Sequence, residues 1–555
     1  MTPSQTTPDD APRPEPFRWN RIDTTEVLHD FHDPRRPTPS QRQLAQQTGV
    51  PRSTLQHWLG RQRRLDLDPV TAGFFDSPPG LAFLHRLVIA AHLVFCVQGS
   101  AGLRLLCLFL RLSQLDRVVA SSYGARQQLA ATLEQAVVDF AAQQRQHLAP
   151  GMAPKEIALA EDETFHPQIC LVAIEPVSNF LLVEQYAARR DAATWNAAVG
   201  QALAGLPVTV VQQVGDEAKG LLAHAQQGLG VPHSPDVFHV QHELSRATAP
   251  VLAAQTRKAQ HYLEGARQRQ DQAHAERAAA AGQPRGPGRP IDHGQRVREA
   301  EAAVAGGQRW VAACEQRQEQ AREAIRGLGE ADHPFDLHSG QAQEAATVER
   351  RLTEQLGRVE ELAQTAKLPE GSRQRLAKAR RVLPGLVAAV AFFWLRVRSA
   401  AERRYGAESW VWVERLVAGM YLGRVAGQVR GAERRAALRG LAERCLAEAR
   451  SGRAEPEGGW VEAERLAREW SGWFQRSSSC VEGRNGQLEL RHHSLHRLSK
   501  RKLEALTAMH NYWLRRGGTT AAERFFGKKP ADLFAWLLER LPLPARPARR
   551  RSQVA

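Results

Sequence analysis

No Cys-x-x-Cys pair occurs anywhere in the 555 residues, and the six cysteines (Cys96, Cys107, Cys170, Cys314, Cys445, Cys480) are scattered. This spacing argues against a zinc ribbon or a disulfide framework and suits a reducing cytoplasm. A signal peptide pattern is also missing, because the first residues are polar and Pro-rich. Long apolar runs are few. Leu81–Val97 carries His85, Arg86 and His92, and Leu386–Leu395 is only ten residues long. Both predict buried helices, so no membrane is expected as a partner. Acid is in short supply: Asp and Glu number 59 against 75 Lys and Arg, a net charge of +16, with a pI of about 10.1. A chain this basic meets a polyanion, nucleic acid first; a GC-rich genome, which favours Arg and Ala, gives the same surplus. Hydrophobic residues make up 43%, enough for real cores in roughly three or four domains.

Residues 1–36 predict a disordered or irregular N-terminus, Pro- and Asp-rich at its start. A helical DNA-binding region is expected over 37–150. Within it, Pro37–Arg64 reads PTPSQRQLAQQTGVPRSTLQHWLGRQRR. Start signals at Thr38-Pro39-Ser40, packing residues Leu44 and Ala45, a turn at Gly49, and buried Val50, Leu55 and Trp58 give the spacing of a helix-turn-helix. A plain helical hairpin has the same pattern. The second helix, from Pro51, would present Arg52, Ser53, Thr54, Gln56 and His57 to base edges or phosphates, with Arg61, Arg63 and Arg64 following. Ser113–Phe140 predicts either a second such unit or a supporting helical bundle.

From Lys155 the texture changes to strand. KEIALAEDETF (Lys155–Phe165) alternates apolar residues before an acidic cluster. QICLVAIEP and NFLLVEQY predict a hairpin turning at Pro176–Asn179. A helix over Asp191–Leu203 is capped by Asp191. PVTVVQQVGD predicts a buried strand ending on Asp216, EAKGLLAHAQQGL a helix, and PDVFHVQHEL a short strand entering another helix. The first three strands suit an antiparallel meander, and the later ones require parallel crossovers. Alternation turns Glu161 and Glu163 away from Asp162. Asp216 also suits a helix N-cap. His239 and His242 read as core or supporting residues.

A third acid comes much later. Ser477–Arg516 carries apolar residues near helical period at Val481, Leu488, Leu495, Leu498, Leu503, Leu506 and Met509. Glu482 lies off that stripe and heads a polar row of Asn485, Glu489, His492 or His493, and His496. Arg484, Arg491, Arg497, Lys500, Arg501, Lys502, Arg515 and Arg516 surround it. This is a carboxylate within a phosphate-binding surface, or a solvated charged helix.

The order and placement of these strands and acids resembles the RNase H-like fold of DDE-type bacterial insertion-sequence transposases. VGDEAKGL resembles the second-Asp motif of several such enzymes, and VEGRNGQLELRHH and GGTTAAERFFG resemble their C-terminal signatures. The resemblance covers about a third of the chain and leaves the subfamily unassigned. No Tyr precedes Glu482, and Glu489 stands where one cut-and-paste group has Lys. It implies Asp162, Asp216 and Glu482 as catalytic, metal-holding residues, with Asp162 bridging two Mg²⁺ (or Mn²⁺) ions and one ion on each of the others. It puts Lys219 and His224 near substrate. Arg484, Asn485, His492, His493, Arg515 and Arg516 join Lys219 as expected DNA contacts. The implied activity is phosphodiester cleavage and strand transfer on the ends of a mobile element. Its partners are double-stranded DNA, at element ends and target, and a second copy in the synaptic complex. An inactive DNA-binding regulator and a nuclease without strand transfer are the alternatives.

The expected architecture is thus α+β and multidomain: an N-terminal helix-turn-helix and an RNase H-like core interrupted by an all-helical insertion. The core's first part is 151–247 and its second 476–541; the insertion spans 248–475 and a basic tail 542–555. Glu482 lies 266 positions beyond Asp216, hence the insertion. Residues 250–330 predict helices interrupted by Gly282–Asp292, whose Gly288–Pro290 suits a loop or a minor-groove contact. Ala345–Leu362 predicts an amphipathic helix in a coiled-coil-like hairpin with the earlier one. Trp394, Trp410 and Trp412 suit core packing, with base stacking as the alternative. Thr520 and Glu523 form a capping box, a last helix spans Ala531–Leu541, and Arg546, Arg549, Arg550 and Arg551 suit phosphate contact or a solubilising tail.

Overall fold

The computed structural model describes residues 21–31, 35–62, 69–165, 167–282, 291–495 and 497–547. They are mixed α/β, mostly helical with one five-stranded sheet and one two-stranded sheet. The chain divides into two compact units, 1–151 with 489–555, and 152–488. This differs from the expected boundaries. Residues 489–541 fold with the N-terminal region, and the helical segment 248–475 shares a unit with the strands.

In the first unit, Ser40 opens a helix over Gln41–Thr48 through a reciprocal cap with Gln43. Gly49, at φ +68°, closes it, a conformation that glycine adopts without strain. A second helix, Arg52–Gln62, follows. Val27, Leu44, Val50 and Leu55 form the core between them, with Phe31, Ala45 and Trp58 against it. Val27 and Phe31 come from a helix at Arg21–Phe31, within the stretch expected to be irregular. Its apolar positions, four apart, find a partner face that local composition does not reveal.

Ser113–Phe140 does not form two helices. A short 3₁₀ turn at Leu115–Arg117 precedes one helix, Tyr123–Leu148. Ser122 accepts the Ala125 N–H at 3.3 Å and starts this helix. Helices Lys500–Tyr512 and Leu533–Arg540 pack on it, with the Phe140 ring edge-on to Tyr512 and Trp536. Thr520 caps the helix Ala521–Phe526 by accepting from Glu523 N–H at 3.1 Å. Arg546 is paired with Asp76 at 3.3 Å, so it belongs to the fold rather than to a free basic tail. Arg549, Arg550, Arg551 and the first seventeen residues lie outside the described residues, as does Gly288–Pro290.

The second unit is built on five strands: β1 (Lys155–Phe165), β2 (Ile169–Glu175), β3 (Phe180–Ala187), β4 (Val208–Gly215) and β5 (His233–Pro235). Their order is β3-β2-β1-β4-β5. β1, β2 and β3 pair antiparallel; β4 runs parallel to β1, and β5 to β4. Asn179, at φ +62°, makes the turn from β2 to β3. Asp191 caps the helix Ala192–Leu203, which delivers Trp195 and Val199 to a core of Ile157, Leu159, Leu171 and Val183. β5 ends at Pro235. Asp236 takes the Phe238 N–H at 2.7 Å and commits the chain to a helix from Val237.

That helix, Val237–Ala280, runs against His293–Ala331. Leu252, Ala259, Ala266 and Ala273 are buried at seven-residue spacing, as are Gly307, Cys314, Ala321 and Leu328 on the partner. Small residues permit close approach: a Cβ on Gly307 would stand 3.2 Å from Leu263 Cα. The long hairpin therefore joins the two halves of 250–330. The helix Ala345–Thr365 packs instead on His293–Ala331 and on Glu370–Tyr405. Trp394 donates its indole N–H to Gln343 O at 2.8 Å and meets Trp410 edge-on, and Trp412 packs on Tyr405 and Trp460. All three tryptophans are core-packing residues. Pro78–Gln98 and Glu370–Tyr405 are long and apolar enough to cross a membrane by length and composition. Each gives buried residues to the protein interior, Leu84 and Ile89 in one, Val390 and Phe393 in the other.

Candidate active site

The sheet register brings two of the predicted acids to one level. Ala160 on β1 pairs with Val214 on β4, and two residues farther along each chain stand Asp162 and Asp216. The third, Glu482, is in the first turn of the helix Ser479–Leu495. Burial, together with the charges of Glu482 and Asp216, pushes the Asp162 carboxyl up to about 7. Asp162 therefore feels the charge of both other acids. Asp162 Oδ1 accepts from the Glu163 N–H at 2.9 Å, and Oδ2 accepts from the Asn485 amide at 3.0 Å. Asp216 Oδ1 accepts the Ala218 N–H at 3.0 Å, one residue ahead of the helix Lys219–Ala223. It thus has a helix-start contact as well as a place in the cluster.

Glu161 and Glu163 point away from Asp162. Glu161 is fully buried, with Gln213 Nε2 at 3.0 Å and His224 Nε2 at 3.2 Å. Glu163 pairs with Arg190 at 2.8 Å. His224, expected near substrate, is buried between Glu161 and Asn196, because the chain turns it inward where the helix widens at His224–Leu229. Lys219 is exposed.

Two expected DNA contacts on the Glu482 helix have other work. Val481, Arg484 and Leu488 are spaced three and four apart, so Arg484 faces inward with the apolar stripe. Its guanidinium grips Glu184 of β3 with two bonds of 2.6 Å. Asn485 binds Asp162. Since Asp162 pairs with Val172 and Val172 with Glu184, both anchors lie along one cross-strand row. Val481 and Leu488 are buried as the apolar pattern requires, but the stretch to Arg516 is two helices, not one. Ser499 starts the second by accepting from the Lys502 N–H at 3.2 Å.

The remaining candidates belong to the first unit. His493 is exposed and stands 3.8 Å from Glu489; His492 is half-buried. Arg515 and Arg516 are exposed on a two-residue strand. Arg491 caps the carbonyls of Val97 and Gln98, and Lys502 that of Cys96, so part of the basic surface serves the fold. Arg52, Ser53, Gln56 and His57 are exposed on their helix and Thr54 is half-buried. The Arg61 side chain lies outside the described residues.

Two further residues belong to the cluster: His239, which the sequence marks as core or supporting, and Asp236, which it does not single out. His239 places Nε2 3.7 Å from Glu482 Oε1 and Nδ1 3.5 Å from Asp236 Oδ2. The Asp236 carboxylate, opposed by burial, raises the imidazole to about 9. Asp236 is itself buried and is held below the usual carboxylate range against its burial, by His239 and Ser478. The available signal was an Asp and a His one helical turn apart, just past a strand.

Among the described residues, no three His, Cys, Asp or Glu side chains are gathered tightly enough to enclose a metal ion. The donors of the cluster are nonetheless hard oxygens crowded against like charge, the chemistry that suits Mg²⁺. Asn485 Oδ1 beside them is buried without a hydrogen-bond partner.

A family of unknown function, DUF6399, matches residues 413–553. The match includes Glu482 and leaves Asp162 and Asp216 outside it. No curated protein and no solved structure matches the chain.

Proposed function

We propose that this chain is a DDE-type DNA transposase with an RNase H-like core and an N-terminal helix-turn-helix. The observation that carries the reading is geometric: Asp162 and Asp216 each stand two residues beyond a paired position of two parallel neighbouring strands, and Asn485, one turn past Glu482 on its helix, donates to Asp162 at 3.0 Å. The strand order β3-β2-β1-β4-β5, three antiparallel and two parallel, supports the same reading. So does the capped pair of helices at 41–62, whose second member exposes Arg52, Ser53, Gln56 and His57.

Cutting a phosphodiester and joining its 3′ end to new DNA are both in-line displacements at phosphorus. In the first, a water oxygen bonds to phosphorus as the bond to the 3′ oxygen breaks. In the second, that 3′ oxygen attacks a target phosphate and displaces another 3′ oxygen. Mg²⁺ ions held by Asp162, Asp216 and Glu482 would activate the entering oxygen and stabilise the leaving one. Asn485 and the Glu163 N–H orient Asp162, one on each oxygen. The Ala218 N–H does the same for Asp216. His239, half-exposed beside Glu482, offers a cationic edge to a phosphate oxygen. Pairing two element ends for joining calls for at least two copies.

The test is incubation of the full chain with DNA carrying the sequences that flank its own gene, with Mg²⁺ or with EDTA. Mg²⁺-dependent cutting and joining supports the proposal. Cutting without joining makes the protein a nuclease, and binding without cutting makes it a regulator. In the same assay, Arg52→Ala is expected to weaken end binding and to reduce the slope of log affinity against log salt by about 1. An unchanged slope would remove Arg52 from the DNA interface.

A further inference from the structure

We propose that Asp236 is a positioning residue that sets the spacing between Asp216 and Glu482. The inference rests on the reading of Asp162, Asp216 and Glu482 as a divalent-cation site. Asp236 is 1% exposed and faces none of the DNA expected at the acids. Its contacts run instead to the two segments that carry them. On one side, its backbone N–H donates to Gly215 O at 3.0 Å, and Gly215 immediately precedes Asp216. On the other, Oδ2 accepts both the N–H and the hydroxyl of Ser478, at 2.9 and 2.5 Å. Ser478 opens the Glu482 helix, since its carbonyl accepts from the Val481 N–H at 2.7 Å and the Glu482 N–H at 3.1 Å. A second path leads from Oδ2 through His239 to Glu482 Oε1.

The neighbouring strap is stitched to the same strand ends. Gln475 N–H donates to Gln212 Oε1 at 3.2 Å, and the Val237 N–H donates to Arg476 O at 3.1 Å. These bonds hold residues 475–476 in place, while Asp236 touches the residue before the second acid, the residue that opens the third acid's helix, and the imidazole beside that acid. A buried carboxylate is costly unless its oxygens are satisfied, and here Oδ1 takes the Phe238 N–H while Oδ2 takes Ser478. An Asn at this position keeps one oxygen and, whichever way it is turned, sets its NH₂ against a backbone N–H, that of Ser478 or that of Phe238, which loosens the joint.

The test uses the full chain as Asp236→Asn, Ser478→Ala, Ser478→Thr and, as a control, Glu482→Gln. Four quantities are read: kcat and KM for DNA cleavage, Mn²⁺ binding from loss of the free-ion electron paramagnetic resonance signal, and melting temperature. Asp236→Asn is expected to lower kcat and weaken Mn²⁺ binding by about 10-fold each, with KM for DNA unchanged. Ser478→Ala shows the same pattern to a smaller degree, and Ser478→Thr, which keeps the hydroxyl, restores both. Ser478→Ala decides the matter if Asp236→Asn does not fold. The inference fails if folded Ser478→Ala, and Asp236→Asn where it folds, keep wild-type kcat and Mn²⁺ affinity while Glu482→Gln loses both. If Glu482→Gln itself binds Mn²⁺ and cuts like wild type, the acid-site reading is what fails.

Discussion

Asp162→Asn is expected to lower Mg²⁺-dependent cleavage by about 10³-fold, the several kcal/mol that a lost metal-holding carboxylate removes from the transition state. The same change should raise the melting temperature of the metal-free protein. Asp162 is a carboxylate withdrawn from water and set against Glu482 and Asp216, and two of the three causes that raise its proton affinity are those like charges. A neutral amide of the same shape removes that repulsion and keeps an oxygen for the Glu163 N–H. Lost activity with gained stability is the signature of a residue kept for chemistry. Thermal melting and single-turnover cleavage on one preparation measure both. A variant that cuts normally, or one that melts lower, would argue that Asp162 is a structural carboxylate.

Arg484→Met is expected to destabilise the second unit by about 3–5 kcal/mol, because it strands a buried charge on Glu184. The side chains are 4% and 0% exposed, so water cannot take over the lost partner. Replacing both, as Arg484→Met with Glu184→Leu, should recover much of the loss, since the pair's own formation is offset by desolvation. Denaturant titration of wild type and the two variants gives the answer. The salt dependence of DNA binding should not change for Arg484→Met, whereas a phosphate contact would reduce its slope by about 1. Equal stability of wild type and the single variant would mean that Glu184 finds another partner.

The strand block was legible because local signals there agree. Apolar alternation marks β1 and β4, a turn lies between β2 and β3, and Asp191 has the residues of a helix start. Alternation alone also turned Glu161 and Glu163 away from Asp162. The misread residues depend on partners far along the chain. Arg484 sits in a run of basic residues, and its counter-charge is 300 positions away on β3. Its place between Val481 and Leu488 was visible and outweighed by the charge of its neighbours. His239 joins the cluster because Asp236 starts a helix at Val237, whose first turn sets the imidazole beside Glu482, far along the chain. The long hairpin was misassigned for a related reason. Its seam is made of Ala and Gly at seven-residue spacing, which reads weakly beside the Leu and Val of Ala345–Thr365. The acids themselves are common residue types, and the order of strands and acids, rather than any one carboxylate, pointed to them.

The most direct test of the account compares wild type with Glu482→Gln for Mg²⁺-dependent cleavage and strand transfer on DNA from the flanks of its own gene. The account predicts that both activities disappear in the variant while DNA binding persists, because the amide keeps the helix and its anchors but not the third carboxylate. Cleavage at the wild-type rate would contradict it, and would move the third acid to Glu489 or to a carboxylate between β5 and the Glu482 helix.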